Sequence, residues 1–238
     1  MLYYFTMGIQ HRSVDWADYF REDETAYVLS VSKKPQKQSG LGVCITIPYP
    51  QKWQRKDIPG MMVTGRNLDE YPPILTEMVK QEKLTIFSVG GGLDEFTVRA
   101  AEQSDVTLID PLDVSVTLGL FEEALRKQHN HRIREQLKVL RKRNVRLLTD
   151  PNIHRLQCTF GDAMRRQLVV PGTADVVVDI GGACHYVGSE KEEGQELLER
   201  EVLRIRRSVK KQQASLLKPD GLHVCIYGNR LARLRSQR

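Results

Sequence analysis

Apolar and polar positions in the first seventy residues follow no sustained helical period. Two apolar runs, AYVLSV (26–31) and GVCITI (42–47), are typical of short strands, and the polar segment KKPQKQSG separates them. The segment PYPQKWQRKDIPG (48–60) is predicted to be a loop with basic and aromatic residues. We therefore predict that residues 1–70 form a small N-terminal extension containing a β-hairpin or a small sheet.

From about residue 71 the pattern changes to alternating helices and strands. Apolar runs predict strands at 84–89, 106–110, 156–160, 174–180 and 222–227. Helical periodicity predicts helices at 71–83, 94–103 and about 114–143. Ser189 and Glu192 have the spacing of a capping box and predict the start of a further helix. The long helical region carries two apolar stripes, Leu118 with Phe121 and Leu125, and Ile133 with Leu137 and Leu140. Strands that alternate with helices indicate an α/β domain over residues 71–238, with a mostly parallel sheet covered by helices on both faces.

The composition narrows the class of protein only slightly. The chain of 238 residues is 40% hydrophobic, which allows one domain with an appendage, and no apolar run approaches the roughly 20 residues of a membrane span. The four cysteines form no C-x-x-C pair, so we expect no metal site, no disulfide framework and a reducing, cytoplasmic location. The net charge of +6 is compatible with an anionic partner.

The first candidate ligand-binding residues lie in the segment LTIFSVGGGLDEFTVRAAEQSDVTLID (84–110). Gly90, Gly91 and Gly92 follow one predicted strand, and Asp110 ends the next, about 20 residues further on. In parallel α/β sheets a glycine turn at this place lets a ligand approach the backbone, and such an acid can accept both hydroxyls of a ribose. The spacing indicates a nucleoside or nucleotide ligand, and the alternative is a tight strand-to-helix turn that binds nothing.

The residues after the glycines bear on which nucleoside fits. Asp94 and Glu95 stand at the start of the next predicted helix, where an NAD site would place a pyrophosphate. Like charges repel, so these carboxylates favour a ligand with cationic groups, such as S-adenosylmethionine with its sulfonium and ammonium.

Five segments in a fixed order resemble the class I S-adenosylmethionine-dependent methyltransferases. They are the glycine turn FSVGGGLDE, Asp110, FGDAM (160–164), ADVVVDIGGACHYV (174–187) and LLKPDGLHV (216–224). The chain departs from the family pattern at Ser88, where an acid is usual, and at Asp94, where a glycine is common. The resemblance implies a Rossmann-like methyltransferase fold with S-adenosylmethionine as cofactor. It implies cofactor contacts from Gly90, Gly91, Gly92, Asp94, Asp110 at the ribose, Asp162 at the adenine amino group, and Ala163 beside it.

The catalytic candidates are Asp179, His185 and Tyr186 in the fourth motif. Asp179 ends a predicted strand, where a carboxylate could orient or deprotonate an acceptor amine or hold the methionine ammonium. His185 could act as a general base or pack in the core, and Tyr186 could line the acceptor pocket.

The methyl acceptor is less constrained by the sequence. Basic residues cluster at 126–146 and 204–211, as a phosphate-binding surface requires, although solvated helix faces and an oligomer contact remain alternatives. ACHYV and YGNRLARLR also resemble segments of messenger-RNA cap guanine-N7 methyltransferases. We therefore expect RNA or a nucleotide as acceptor. The alternatives are a small-molecule acceptor and a catalytically silent methyltransferase-like subunit that binds a partner.

Overall fold

A computed structural model describes residues 28–31, 43–47, 61–63, 65–180, 183, 199–227 and 230–235 of the chain. The strands are β1 (Val28–Val31), β2 (Val43–Ile47), β3 (Met61–Val63), β4 (Thr85–Val89), β5 (Asp105–Ile109), β6 (Ile153–Leu156), β7 (Ala174–Ile180), β8 (Leu217–Tyr227) and β9 (Arg230–Arg235). The helices are α1 (Pro73–Met78), α2 (Glu95–Ala100), α3 (Val114–Lys127), α4 (His131–Thr149), α5 (Phe160–Arg165) and α6 (Glu199–Ser215). Within these described ranges no helix combines the length and apolar character needed to cross a membrane.

The chain forms two compact units that interleave along the sequence. The first consists of Met1–Tyr71, Leu93–Glu95 and Leu112–Thr149, and the second of Pro72–Gly92, Phe96–Pro111 and Asp150–Arg238. The helices α3 and α4 therefore belong to the same unit as the N-terminal residues. The division of the chain at residue 70 stays a prediction.

The second unit contains a six-stranded sheet in the order β6-β5-β4-β7-β8-β9. The pairs from β6 to β8 are parallel, and β9 pairs antiparallel with β8. Successive strands are added in one direction from β4 to β6 and in the other from β7 to β8, so the order reverses between β4 and β7. This is the arrangement of a Rossmann-like α/β fold, and the predicted fold class is confirmed. Ligands of such sheets bind at the carboxyl ends of the strands beside the reversal.

Helices cover opposite faces of this sheet. Ser88 of β4 faces α2, because its Oγ lies 3.0 Å from Oγ1 of Thr97. Asp179 of β7 is in register with Val89, the next residue of β4, and accepts a hydrogen bond from Gln213 of α6. Neighbouring residues of one strand point to opposite faces, so α2 and α6 lie on opposite sides. The strands between them are mostly buried rather than alternating, as expected for a sheet covered on both faces.

One predicted strand, at 156–160, has the wrong bounds. β6 ends at Leu156, and Phe160 begins α5. Thr159 caps this helix by accepting a hydrogen bond on Oγ1 from the backbone N–H of Asp162 at 3.1 Å. Threonine is favoured both in strands and at helix N-caps, so the run LQCTF does not separate the two by its pattern.

Two strands, β3 and β9, were not predicted from the sequence, and the strand predicted at 222–227 begins earlier, at Leu217. β3 pairs with β2, and β9, with the sequence RLARLR, pairs with β8. In β8, Leu217 pairs with Ala174 but Leu222 with Val176, so the intervening K-P-D-G residues form an irregularity inside the strand. Asp220 takes a positive φ of 66° there.

The first unit contains an antiparallel sheet in the order β1-β2-β3, so the predicted pairing of the two N-terminal strands is confirmed. Its long helical region is two helices rather than one, with a break at residues 128–130. The predicted apolar stripe of α4 is confirmed, since Ile133, Leu137 and Leu140 are buried. In α3 only Phe121 of the predicted stripe is fully buried.

Candidate functional site

Six predicted cofactor residues of the second unit follow the carboxyl ends of three adjacent strands. Gly90, Gly91 and Gly92 follow β4, Asp110 follows β5, and Asp162 with Ala163 lies in α5 after β6. Asp179 lies at the carboxyl end of β7, on the other side of β4. The fold therefore brings these separate sequence motifs to one edge of the sheet, at the reversal of strand order.

The glycine turn is bonded to the acid that follows β5. The backbone N–H of Gly92 donates to Oδ2 of Asp110 at 3.0 Å, and the N–H of Gly90 donates to the carbonyl of Ile109 at the same distance. Gly90 and Gly92 have positive φ values of 67° and 37°, which side chains other than hydrogen disfavour. Asp110 is 8% exposed, so its carboxylate is fixed against the turn rather than projecting into solvent.

Gly91 is required by close packing between β4 and α2. A Cβ at this position would lie 2.2 Å from Oγ of Ser88 and 2.7 Å from Oγ1 of Thr97, closer than atoms approach without displacement. Ser88 and Thr97 are both fully buried and bonded to one another. Ser88, where the resembled family usually has an acid, thus serves here to hold the strand against the helix. Thr97, six residues after Gly91, has no sequence pattern that marks it as part of this packing.

Gly91→Ala is expected to destabilise the protein by about 1–2 kcal/mol, the lower part of the range for overpacking a filled site, since the addition is one methyl group. Urea unfolding measures the change. Gly119→Ala is the matched control, because a Cβ there meets nothing within 4 Å and alanine favours the interior of α3. Equal stability of the Gly91 variant and the parent would show that the turn is looser than this packing implies.

The carboxylates of Asp94 and Glu95 bind groups of the first unit. Asp94 accepts the backbone N–H of Arg66 at 2.7 Å and the hydroxyl of Tyr71. Glu95 accepts the N–H of Leu68 at 2.8 Å and pairs with Arg143 at 3.2 Å. Burial raises the pKa of Asp94 to about 6, although the hydrogen bonds from Tyr71 and Arg66 act to lower it. Because internal donors bind both carboxylates, these charges give less support to a cationic ligand than the sequence indicated. A cofactor contact for Asp94 stays a prediction.

Arg143 is buried, in contrast to the basic surface predicted around it. Its guanidinium donates to the carbonyl of Arg66 at 2.9 Å and to Oδ1 of Asn67 at 2.6 Å, besides its pairing with Glu95. With a side chain 8% exposed, Arg143 stabilises the packing of residues 65–71 on α4 and is not available to a phosphate.

Asp162 has a local structural role beside its predicted contact with adenine. It occupies the first turn of α5, where Oδ2 accepts the hydroxyl of the cap Thr159 at 2.8 Å and Oδ1 accepts Arg165 at 2.5 Å. The Thr159 bond, and after it the charge of Arg165, holds the pKa of Asp162 below its usual value. Ala163, the next residue, is fully buried. The contacts of both residues with adenine stay predictions.

Asp179 is buried, with 1% of its surface exposed, and Oδ2 accepts a hydrogen bond from Nε2 of Gln213 at 2.7 Å. Such burial disfavours direct proton exchange with an acceptor, so its role as a general base stays a prediction. His185 and Tyr186 lie outside the described residues. Gln213 could not be identified from the sequence, since a glutamine near the end of a basic helix has no pattern that marks it as functional.

The glycine turn and Asp110, at the carboxyl edge of the sheet, offer hydrogen-bonding groups that a nucleoside can use. A carboxylate has about four lone-pair directions, so Asp110 can accept ribose hydroxyls as well as the N–H of Gly92. The glycines keep side chains away from the turn, which allows a ligand to approach the backbone. Asp110 and the glycine turn are therefore the residues that would hold the ribose end of such a cofactor.

No protein-family model and no curated protein matches the chain. Among solved structures it is similar to the C-terminal domain of precorrin-6Y C5,15-methyltransferase from Rhodobacter capsulatus, with 13% identity, TM-score 0.35 and coverage of 64% of this chain and 60% of that one. It is similar to precorrin 8w decarboxylase from Methanobacterium thermoautotrophicum, with 16% identity, TM-score 0.34 and coverage of 64% and 59%. A third is 1,6-didemethyltoxoflavin-N1-methyltransferase from Burkholderia thailandensis, with 16% identity, TM-score 0.33 and coverage of 68% and 59%. The chain thus spans about three fifths of each of these structures.

Proposed function

We propose that the protein is an S-adenosylmethionine-dependent methyltransferase. The observation that carries the proposal is the hydrogen bond from Gly92 to Asp110, which joins the glycine turn after β4 to the acid after β5 beside the strand reversal. The order of the five sequence motifs supports the same conclusion, because the described residues of each stand at the carboxyl edge or on a strand that leads to it.

The chain contributes mainly binding and orientation to this reaction. Bound S-adenosylmethionine supplies a methyl group that its sulfonium already activates. Asp110 and the glycine turn hold the nucleoside, and the fourth motif after β7 forms the acceptor side, where His185 and Tyr186 are the proposed catalytic residues. Holding an acceptor in line with the methyl group and excluding water can supply most of the acceleration.

We propose RNA or a nucleotide as the methyl acceptor. Supporting this, Arg126, Arg132 and Lys142 of the helical hairpin α3–α4 are exposed, as are Arg204 and Arg207 of α6. Other cations of the hairpin pair with acids, including Arg141 with Glu122 at 2.9 Å and Lys138 with Glu135 at 2.7 Å. The net positive surface is therefore smaller than the count of basic residues suggests, which keeps a small-molecule acceptor as the second candidate.

Replacing Arg126, Arg132 and Lys142 together with glutamine is expected to weaken binding of a single-stranded RNA oligonucleotide. Each phosphate that no longer meets a cation should reduce the slope of log affinity against log salt by about 0.7. Fluorescence anisotropy across a salt series measures both the affinity and the slope, and S-adenosylmethionine affinity should stay unchanged.

The control replaces Lys80 and Arg99 with glutamine, since each of these exposed cations pairs with a glutamate three residues away and lies outside the two basic clusters. Identical salt slopes in parent and first variant would remove these helices from the proposed RNA surface. Transfer of a labelled methyl group to small molecules but not to RNA would then support the second candidate.

A further inference from the structure

A group of four buried polar side chains links β7, β8 and α6 in the second unit. The group comprises Asp179, Gln213, His223 and Cys225, none more than 1% exposed. Asp179 is in register with Cys225, and His223 stands two residues before it, so the three strand residues share the face that α6 covers. Burial of an acid, an amide and an imidazole together is costly unless their hydrogen bonds are made.

The hydrogen bonds fix the orientation of each member. Nε2 of Gln213 donates to Oδ2 of Asp179 at 2.7 Å, which turns Oε1 of the same amide toward Nε2 of His223 at 2.9 Å. The oxygen can only accept, so His223 carries its proton on Nε2. Among the described residues Nδ1 of His223 has no hydrogen-bond partner, so this buried acceptor is unsatisfied. Cys225 packs against the imidazole, with Sγ 3.1 Å from Nε2.

Asp179 is the member of this buried polar group that lies nearest in the sheet to the glycine turn of the proposed cofactor site. Asp179 is in register with Val89, which directly precedes the glycine turn on the adjacent strand. Asp179 therefore stands at the carboxyl edge beside the reversal of strand order, with its carboxylate on the face that α6 covers. Charges act over longer distances in a protein interior than in water, because the effective dielectric constant there is nearer about 20 than about 80.

We propose that Asp179, held in place by Gln213 and His223, makes the cofactor site prefer cationic S-adenosylmethionine over neutral-sulfur S-adenosylhomocysteine. The proposal rests on the proposed methyltransferase function. Asp179 acts through its charge, without touching the acceptor, and Gln213 and His223 are positioning residues that keep the carboxylate directed and hydrogen-bonded. Weaker retention of the demethylated product follows from the same preference, since the product lacks the sulfonium charge.

Calorimetric dissociation constants for both ligands test this proposal through their ratio. Asp179→Asn is expected to weaken S-adenosylmethionine about ten-fold, as removal of one charge about 12 Å from another would at an effective dielectric constant of about 20, and to change S-adenosylhomocysteine less than about two-fold. Gln213→Met should shift the ratio in the same direction by a smaller factor. A purely structural role would lower the melting temperature and weaken both ligands equally.

Asp175→Asn is the matched control, because Asp175 stands on the same face of β7 at the opposite end of the strand. Its carboxylate binds Lys218 at 2.9 Å and the N–H of Thr85 at 2.8 Å, so its loss should lower stability and leave the ligand ratio unchanged. An unchanged ratio in Asp179→Asn overturns the inference. If that variant does not fold, an unchanged ratio in Gln213→Met overturns it instead. A parent protein that binds neither ligand overturns the proposed function itself.

Discussion

Asp94→Asn is expected to flatten the dependence of folding stability on pH between about 4 and 6. Burial raises the pKa of Asp94 from 3.8 to about 6 in the folded protein, so the folded state binds this proton more tightly than the unfolded state does. The resulting stabilisation is fully present below pH 3.8 and is lost as the pH rises through about 6. The difference between the two pKa values corresponds to about 3 kcal/mol of folding free energy. Asparagine has no proton to lose, so the variant should lack this part of the pH dependence.

Urea unfolding at a series of pH values measures this difference between parent and variant. The side-chain oxygen of asparagine can still accept the backbone N–H of Arg66, and its NH2 group can donate to the hydroxyl oxygen of Tyr71. The contacts of the first unit should therefore survive. Glu77→Gln, which changes an exposed carboxylate, is the control and should keep the parental slope. A variant profile parallel to that of the parent would show that Asp94 is not buried as described.

Asp110→Ala is expected to weaken binding of S-adenosylmethionine and S-adenosylhomocysteine by about 1.5–3 kcal/mol, the scale of hydrogen bonds to a charged group. This corresponds to about ten- to one-hundred-fold in dissociation constant. The proposed contact is with the ribose, which both ligands share, so the two should weaken alike. This behaviour separates Asp110 from Asp179, whose replacement should affect mainly the charged ligand.

Part of the weakening in Asp110→Ala could come from the glycine turn, since the N–H of Gly92 no longer has its acceptor. Asp110→Asn keeps an acceptor for that N–H and separates the two contributions. Asp105→Ala, at the exposed amino end of the same strand, is the control and should bind both ligands like the parent. Parental affinity in Asp110→Ala would contradict the assignment of the ribose site.

The parallel sheet and its carboxyl-edge residues could be predicted because they depend on local patterns. Apolar runs such as LTIFSV mark strands buried on both faces, and the glycines with Asp110 stand at a spacing that the fold itself sets. The hydrogen bond between Gly92 and Asp110 confirms that the turn and the acid lie together.

Long-range polar contacts could not be predicted in the same way. Arg143 is one of many cations in a basic run, and only its packing against Arg66 and Asn67 shows it to be buried. Gln213 and His223 lie in helix and strand patterns that give no sign of their bond to one another. The place of Asp94 after the glycines predicts a ligand contact, whereas the structure bonds it to residues more than 20 positions earlier.

Titration of the parent protein with S-adenosylhomocysteine by isothermal calorimetry tests the central claim most directly, with NAD as the comparison ligand. The two share an adenosine, so both can address Asp110, but NAD adds a pyrophosphate for which the glycine turn lacks the third glycine of G-x-G-x-x-G. We expect saturable one-to-one binding of S-adenosylhomocysteine and no measurable heat with NAD. Saturable NAD binding, or the absence of heat with S-adenosylhomocysteine, would contradict the methyltransferase assignment.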